Sequence, residues 1–510
     1  LNDLVLIAGG LVLAADGSVS LSDILLQGST IAALVEPGTA TSEHAARIDA
    51  RRRLVMPGLV NAHTHGHGAL AKGLGDRITL ELLLNASAGF HGQRTDEDRR
   101  LSATLNAVEM LRKGCTACFD LALTLPGPDA SSLFATAQAY ADVGMRAVVA
   151  PMIADRTLYE AIPGLLAALP PEAPPEARPW AEALRTAPPD AIFAEIESGA
   201  RTWPFDRAKV RLGIGPTIPL HCSDAFLRRC TALSTRFDLP LQTHLAESAM
   251  QRAAGIARYG TSLTRHLDDI GLLRPGVSVA HGIFLDDEDL DILAARGVSI
   301  AHNPGANLRL GSGIADITAA RDRGITIGVG TDGSSSSDNQ NMFEAMRLAA
   351  YVSRVFDRPT NRWIGARDAI AMATVGSAAV LGMAGTIGRI APGYQADLVF
   401  LDRDHVNLVP LNDAANQLVN TEDGSAVREV MVGGRIVLSD GKIHGIDWPS
   451  LVDRAQRRAE QLAALTAPAR MIADRLAPVV EAFCAGLGCA HHHSHKVHRE
   501  RPDIARSVVR

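Results

Sequence analysis

Cysteine is scarce: six residues in a chain of 510. That density excludes a disulfide-stapled fold. Cys115 and Cys118 form a C-x-x-C within the apolar run Gly114-Cys115-Thr116-Ala117-Cys118-Phe119-Asp120, but no second C-x-x-C completes a four-thiolate site. Both are expected to be small buried hydrophobes. Aromatic residues make up only 4% of the chain, too few for a base-stacking surface. The net charge is −6 and no long basic run occurs, so neither nucleic acid nor an anionic membrane is an expected partner. No apolar run reaches the ~20 residues of a membrane span. The stretch Leu1 to Gly10 has no charged leader pattern. A cytoplasmic enzyme acting on a small molecule is the expectation, and a homo-oligomer is compatible with it.

What the chain does have is length and glycine, with 45 Gly and 47% hydrophobic residues, the profile of an α/β protein with many turns. Residues 1–53 read as short strands punctuated by Gly and Asp, too few to close alone. From residue 54 apolar β-type runs alternate with helical segments. The strand candidates are 54–63, 115–120, 145–150, 210–215, 239–244, 277–281, 297–301 and 325–331. Helical stretches include 97–113, 223–237, 248–269, 286–296 and 314–323. Eight strands alternating with helices predict a TIM-type (β/α)8 barrel over 54–384. Residues 385–445 return to short β elements, Gly385–Ile390, Ala396–Leu401 and Val427–Val432. With 1–53 they predict a small β-sandwich domain built from both chain ends. A C-terminal helix is expected within 446–485, its core at 449–483, and a polar tail over 486–510. The tail carries His491, His492, His493, His495 and His498. Such a tract can bind metal, but with nothing apolar nearby to fix a geometry, disorder is expected. A Pro-rich insertion at 162–190 falls between the third and fourth strands. It is either a cover for the site or a surface loop.

The polar residues at the strand ends carry the chemistry. The first strand closes on Asn61-Ala62-His63-Thr64-His65. Alternate strand residues face one side, so His63 and His65 project together and can reach one cation. Strand five ends in Thr243-His244-Leu245-Ala246-Glu247, strand six in Val279-Ala280-His281-Gly282, strand seven in Ala301-His302-Asn303-Pro304, and strand eight in Gly330-Thr331-Asp332-Gly333. Any one of these could be an ordinary core or surface residue. Together, at the C-terminal ends of barrel strands, they satisfy what a single catalytic site requires.

These motifs, PGLVNAHTH (57–65), THLAE (243–247), VAHG (279–282), AHNPGANLRLGSG (301–313), GVGTDGS (328–334) and IGRIAPGYQADLVFLD (387–402), resemble the amidohydrolase superfamily. Within it they are most similar to the group of cytosine, guanine and S-adenosylhomocysteine deaminases and triazine hydrolases. The resemblance implies that His63, His65, His244 and Asp332 hold one divalent metal, zinc or else iron. It implies that Glu247 shuttles protons, that His281 donates a hydrogen bond to the attacking water or the developing charge, and that Asp332 can also take a proton from the water. Dinuclear members carry a carboxylated Lys at the end of strand four; Val210-Arg211-Leu212-Gly213-Ile214-Gly215-Pro216-Thr217 has none. A single metal is therefore expected.

The expected activity is hydrolytic deamination of an amino-substituted nitrogen heterocycle: a purine base, pterin, pyrimidine or triazine. Displacement of chloride or alkylamine from a triazine-like ring, or amide cleavage, would use the same machinery. A non-catalytic binding barrel would be expected to lack a ligand or Glu247, and none is missing. The zinc deaminases with a P-C-x-x-C motif are a different machine, and that motif is absent. Adenosylhomocysteine deaminases carry a substrate-binding His in the strand-four loop, where this chain has Thr217 and Pro219, with His221 further on. A nucleoside is therefore disfavoured. His67, Thr217, Asn303 and Ser334 are the expected substrate contacts, and Ser334 to Ser337 with Asp338 and Asn339 either shape the pocket or form a solvated polar loop. An acidic substrate would want a clustered Arg clamp; none stands beside the strand-end motifs, though distant loops such as those of Arg77 or Arg94 could supply one.

Overall fold

Pro57-Gly58 divides two sheets. The run expected as one strand over 54–63 is two, Arg53–Pro57 and Leu59–His65. A Cβ at Gly58 would lie 2.2 Å from Thr116 Oγ1, so the chain crosses between the sheets where only glycine fits. The boundary of the parallel-strand region accordingly falls at Gly58 rather than before residue 54. The computed structural model describes residues 4–39, 45–92, 94–169, 176–184 and 186–492.

The strand Arg53–Pro57 belongs to a nine-stranded sheet that draws on both ends of the chain. Its order is Lys442–Ile443, Arg435–Ser439, Val427–Val432, Leu398–Asp402, Arg53–Pro57, Leu4–Leu13, Val19–Gln27 and Thr30–Val35, with Ala46–Asp49 also paired to Leu4–Leu13. Ile7, Val12, Ile24, Leu26, Val55, Leu398, Phe400 and Met431 form its own apolar cluster. Gly385–Ile390, expected as a strand, is not one; Gly385 and Gly388 take φ of 74° and 90° and break the extended run.

Eight parallel strand positions follow in chain order. They are Leu59–His65, Cys115–Leu123, Arg146–Ile153, Val210–Leu212 with Gly215–Pro216, Leu241–Leu245, Val277–His281, Ser299–His302, and Ile327–Val329 with Asp332–Gly333. The first four, together with Asp332–Gly333, form one sheet, and the strands from Leu241–Leu245 to Ile327–Val329 form another, all ladders being parallel. A parallel bridge from Ile214 to Leu241 links the two sheets on one side. On the other side Asp332–Gly333, separated from Val329 by two residues, pairs with Thr64 and His65. These strands are buried on both faces and read as near-continuous apolar runs, as parallel strands do.

The helices between them start where capping predicts. Thr95 and Asp98 form a capping box at Asp96–Arg112, Asp286 and Asp289 another at Asp287–Ala295, and Ser223 caps Asp224–Phe237. The stretch 248–269 is two helices, Ala249–Tyr259 and Leu263–Asp269, because Gly260 ends the first and Ser262 caps the second. The C-terminal helix is also two, Trp448–Leu465 and Ala467–His492. The second runs past Gly486, where a polar tail was expected to begin, because Ala473, Leu476, Val480 and Cys484 bury one face. It packs along Leu80–His91, where Asn85 Nδ2 donates to the Ala473 carbonyl at 2.8 Å. The expectation of a disordered tail from His493 onward lies outside the described residues. So does Pro170–Pro175 of the Pro-rich insertion.

The two regions are locked by a buried ion pair. Arg146 Nε donates to Asp397 Oδ2 at 2.7 Å, with both side chains almost fully buried. No helix of the described residues is long and apolar enough to cross a membrane.

Candidate active site

Sheet register assembles the site. Pairing Leu245 with His281 and Asp332 with Thr64 brings the ends of strands one, five, six and eight together. The ligand-type atoms of His63, His65 and His244 lie within 4.8 Å of one another, and so do those of His63, His281 and Asp332. His65 Nε2 is 3.2 Å and His63 Nε2 3.6 Å from Asp332 Oδ1, and His244 Nε2 is 3.3 Å from His65 Nε2.

Each imidazole is aimed by its other nitrogen. His63 Nδ1 donates to Gln242 Oε1 at 2.7 Å, His65 Nδ1 to the Leu121 carbonyl at 2.9 Å, and His244 Nδ1 to the Thr217 carbonyl at 2.6 Å. Three Nε2 lone pairs therefore face the centre, as metal-ligating histidines do. His63 Nε2 is fully buried with no hydrogen-bond partner. A buried orphan nitrogen is costly unless something occupies its lone pair. Three imidazole nitrogens and a carboxylate fit one divalent cation of zinc type.

The electrostatics agree. Burial holds His65 at about 4 and His244 well below the ordinary imidazole range, so both rings are neutral and ready to bind metal. Burial by itself would raise Asp332, but the adjacent His63 and His65 hold its carboxyl well below the usual range. Glu247 behaves oppositely. Burial first, then the charges of Asp332 and Glu81, push its carboxyl well above the usual range. Two carboxyls in one cavity with opposed shifts are the signature of split acid and base roles.

A cavity opens on this centre, lined by His65, His67, His91, Thr217, Glu247 and Asp332 among others. A second, more apolar cavity adjoins it across Leu84, Ser87, Leu123, Met152 and Thr217 and extends to Leu158, Leu184 and His221.

Residues 54–437 match the amidohydrolase family. The chain belongs to that family. A 5-methylthioadenosine/S-adenosylhomocysteine deaminase of Nitratidesulfovibrio vulgaris is 34% identical over 86% of this chain and 91% of its own length. A 5'-deoxyadenosine deaminase of Methanothermobacter thermautotrophicus is 29% identical over 90% of this chain and 99% of its own. Among solved structures, a zinc-bound adenosine deaminase from Xanthomonas campestris superposes with a TM-score of 0.79 at 26% identity, covering 90% of this chain and 98% of that one. The atrazine chlorohydrolase of Arthrobacter aurescens, in complex with zinc, has a TM-score of 0.79 at 27% identity, covering 89% of this chain and 100% of that one.

Of the residues singled out in this amidohydrolase sequence, His63, His65, His244, Glu247, His281 and Asp332 converge. His67 and Thr217 line the cavity. Two expected substrate contacts do not. Asn303 is fully buried behind the site and its amide lies 3.5 Å from His281 Nε2, so it supports His281. Ser334 is fully buried against Gln340, while Ser335 and Ser336 line the cavity instead. His281 bears on the donor role expected of it. Its Nδ1 donates to Asn307 Oδ1 at 2.8 Å, leaving Nε2 as an acceptor 3.7 Å from Glu247 Oε2. It can donate toward the centre only after taking up a proton.

Neither arginine makes a carboxylate clamp: Arg77 is exposed beside Asp76, and Arg94 is spent on the His67 and Phe90 carbonyls and on His91. Cys115 and Cys118 are buried free thiols, and burial pushes Cys115 up to about 12. Sequence reading missed Gln242, His91, Glu81 and Asn307. Gln242 was within reach, because it stands two residues before His244 and so on the same face of the strand. Asn307 stands inside the quoted 301–313 motif without its role being read, while His91 and Glu81 arrive from a separate segment and carry no local signal.

Proposed function

We propose that this protein is a mononuclear zinc-dependent aminohydrolase that releases ammonia from a planar amino-azaheterocycle. The observation that carries the reading is the buried carboxyl of Glu247, its Oε2 without a hydrogen-bond partner and its acidity weakened by burial, beside the His63, His65, His244 and Asp332 cluster. His63, His65, His244 and Asp332 would hold the cation. A bound divalent metal supplies the Lewis acidity that makes water a nucleophile near neutral pH. Asp332 and His281 Nε2 are placed to take the proton released as water attacks. Glu247 delivers its proton to the ring nitrogen next to the reacting carbon, recovers one from the nucleophile, and passes it to the departing amine. Protonating the ring as the tetrahedral centre forms avoids an isolated charge in a buried cavity.

The parallel strands support a closed (β/α)8 barrel, and the nine-stranded sheet, bulged between Ile7 and Gly10, supports a sandwich-like small domain.

The relatives widen the substrate class. They are named as deaminases of 5'-modified adenosines. His221, displaced in sequence, still lines the adjoining cavity. Nucleosides therefore stand beside free bases as candidates. A second reading, displacement of chloride or alkylamine from a triazine, is favoured by the chlorohydrolase neighbour and by the apolar second cavity.

An ammonia-release screen decides between them. It should cover adenine, guanine, pterins, aminotriazines, adenosine and 5'-deoxy or 5'-alkylthio adenosines, with chloride and alkylamine release assayed in parallel. Ammonia from an amino-azaheterocycle is expected. Chloride or alkylamine without ammonia would select the second reading, and release of none of the three would overturn both.

A further inference from the structure

Two histidines outside the metal cluster share the cavity with Glu247. His67 follows the strand-one pair by two residues, on the short helix Gly66–Ala71. His91 ends the helix Leu80–His91. Their ring centroids are 4.7 Å apart, and that of His67 is 5.3 Å from that of His65. Both rings line the cavity.

Their tautomers are set from behind. The backbone N–H of Leu123 donates to His67 Nδ1 at 3.2 Å. A guanidinium nitrogen of Arg94 lies 3.4 Å from His91 Nδ1 and can only donate. Arg94 also donates to the carbonyls of His67 and Phe90, which ties the two segments to one cation. An Nδ1 that accepts is unprotonated, so each neutral ring carries its single proton on Nε2. Among the described residues, no acceptor is recorded for either Nε2. The three cluster histidines show the reverse arrangement, with Nδ1 donating to protein oxygens. One cavity therefore has lone pairs on one wall and N–H donors on the other.

We propose that His67 and His91 are a paired donor that reads a hydrogen-bond acceptor on the ring edge remote from the reacting amidine carbon. The acceptor is an unprotonated ring nitrogen or an oxo oxygen. The inference rests on the deaminase reading and narrows its substrate: the heterocycle carries an acceptor edge, and a ring with C–H there is turned over poorly.

The test has two arms on the full-length, zinc-loaded protein. Nitrogen-15 NMR of histidine-labelled protein, assigned with His67→Phe and His91→Phe, should show both rings as the Nε2–H tautomer. An Nδ1–H signal from either ring would overturn the proposal. In the second arm, kcat and KM are measured for the best ring from the screen and for its analogue with N or C=O replaced by C–H. His67→Phe and His91→Phe should lower kcat/KM on the parent ring by roughly 10- to 100-fold, mainly through KM. On the C–H analogue they should stay near the unmodified protein, at unchanged metal content, and His91→Gln, which keeps an N–H, should recover part of the loss. Equal losses on both rings would mark a purely structural role and overturn the proposal. If nothing releases ammonia, the deaminase reading falls separately. The donor pair is then judged by thermal shift with adenine against 1-, 3- and 7-deazaadenine: weaker binding of one analogue in the unmodified protein but not in the variants supports it, and equal binding of all four overturns it.

Discussion

Glu247 and Asp332 occupy the same cavity with opposite proton affinities. Asp332 has imidazoles against it; Glu247 has burial, Asp332 and Glu81. Glu247→Gln keeps the shape and removes the exchangeable proton. It is expected to retain zinc and lose turnover by ~10²–10⁴-fold; loss of the metal, read by elemental analysis, would make Glu247 a ligand instead. Asp120 offers a separate check on burial. Gly66 N–H and Tyr140 Oη–H donate to its oxygens at 2.8 Å each, yet burial still raises it to about 6. A carboxyl raised in the fold favours the protonated form. Its contribution is thus fully present below the unfolded pKa near 4 and is lost as pH rises through about 6. Asp120→Asn should remove that loss. Urea unfolding at pH 4 and 7 should show the variant gaining on the parent by up to about 3 kcal/mol at the higher pH. A difference independent of pH would contradict the buried, raised carboxyl.

At the scale of elements, the turns leaving the strands hold the site under strain. His281 and Asp332 sit at φ of 73° and 63°, in the left-handed region, and neither is glycine. Such residues cost of order 1–3 kcal/mol each and persist where surrounding structure over-determines them. Here His281 ends the strand Val277–His281 and Asp332 opens the two-residue strand Asp332–Gly333, both paired in fixed register. Gly330 lets this packing close. A Cβ there would lie 2.3 Å from Asn303 Oδ1 and 2.8 Å from the His63 carbonyl. Gly330→Ala is expected to cost roughly 1–3 kcal/mol in unfolding free energy. Zinc occupancy should fall with it, because His63 must move. Parental stability and full occupancy would show that the strand-end packing is looser than described. The strand-end histidines and the aspartate were legible in sequence because a strand's two-residue period and its terminal polar residue are local properties. The break at Pro57-Gly58 was not, since it depends on Thr116, which approaches from the next strand.

Across the whole molecule, the C-terminal helix Ala467–His492 braces the wall of the cavity. It lies against Leu80–His91, whose residues Leu80, Leu83, Leu84, Ser87 and His91 line the site. Asn85 joins the two, donating to Ala473 and accepting from Tyr159 Oη–H at 2.6 Å. Leu476 and Val480 are fully buried in this contact region, each worth roughly 1.5–3 kcal/mol of burial. Ending the chain at Thr466 should lower Tm and raise KM several-fold more than it lowers kcat, with zinc still bound. An unchanged KM would show that the helix supports the fold without shaping the cavity.

Sequence alone determined the order of elements, the polar residues at the strand ends and the family. These depend on hydrophobic period, on turn residues and on motifs a few residues long. Tertiary structure decided which polar residues face the cavity. It placed Asn303 and Ser334 behind the site and brought His91 into it. It set Asn307 against Nδ1 of His281. It set Gln242, Leu121 and Thr217 behind the cluster histidines. Those assignments depend on which groups meet across sheets and loops distant in sequence, and on which nitrogen of a ring each partner claims, so no local pattern carries them.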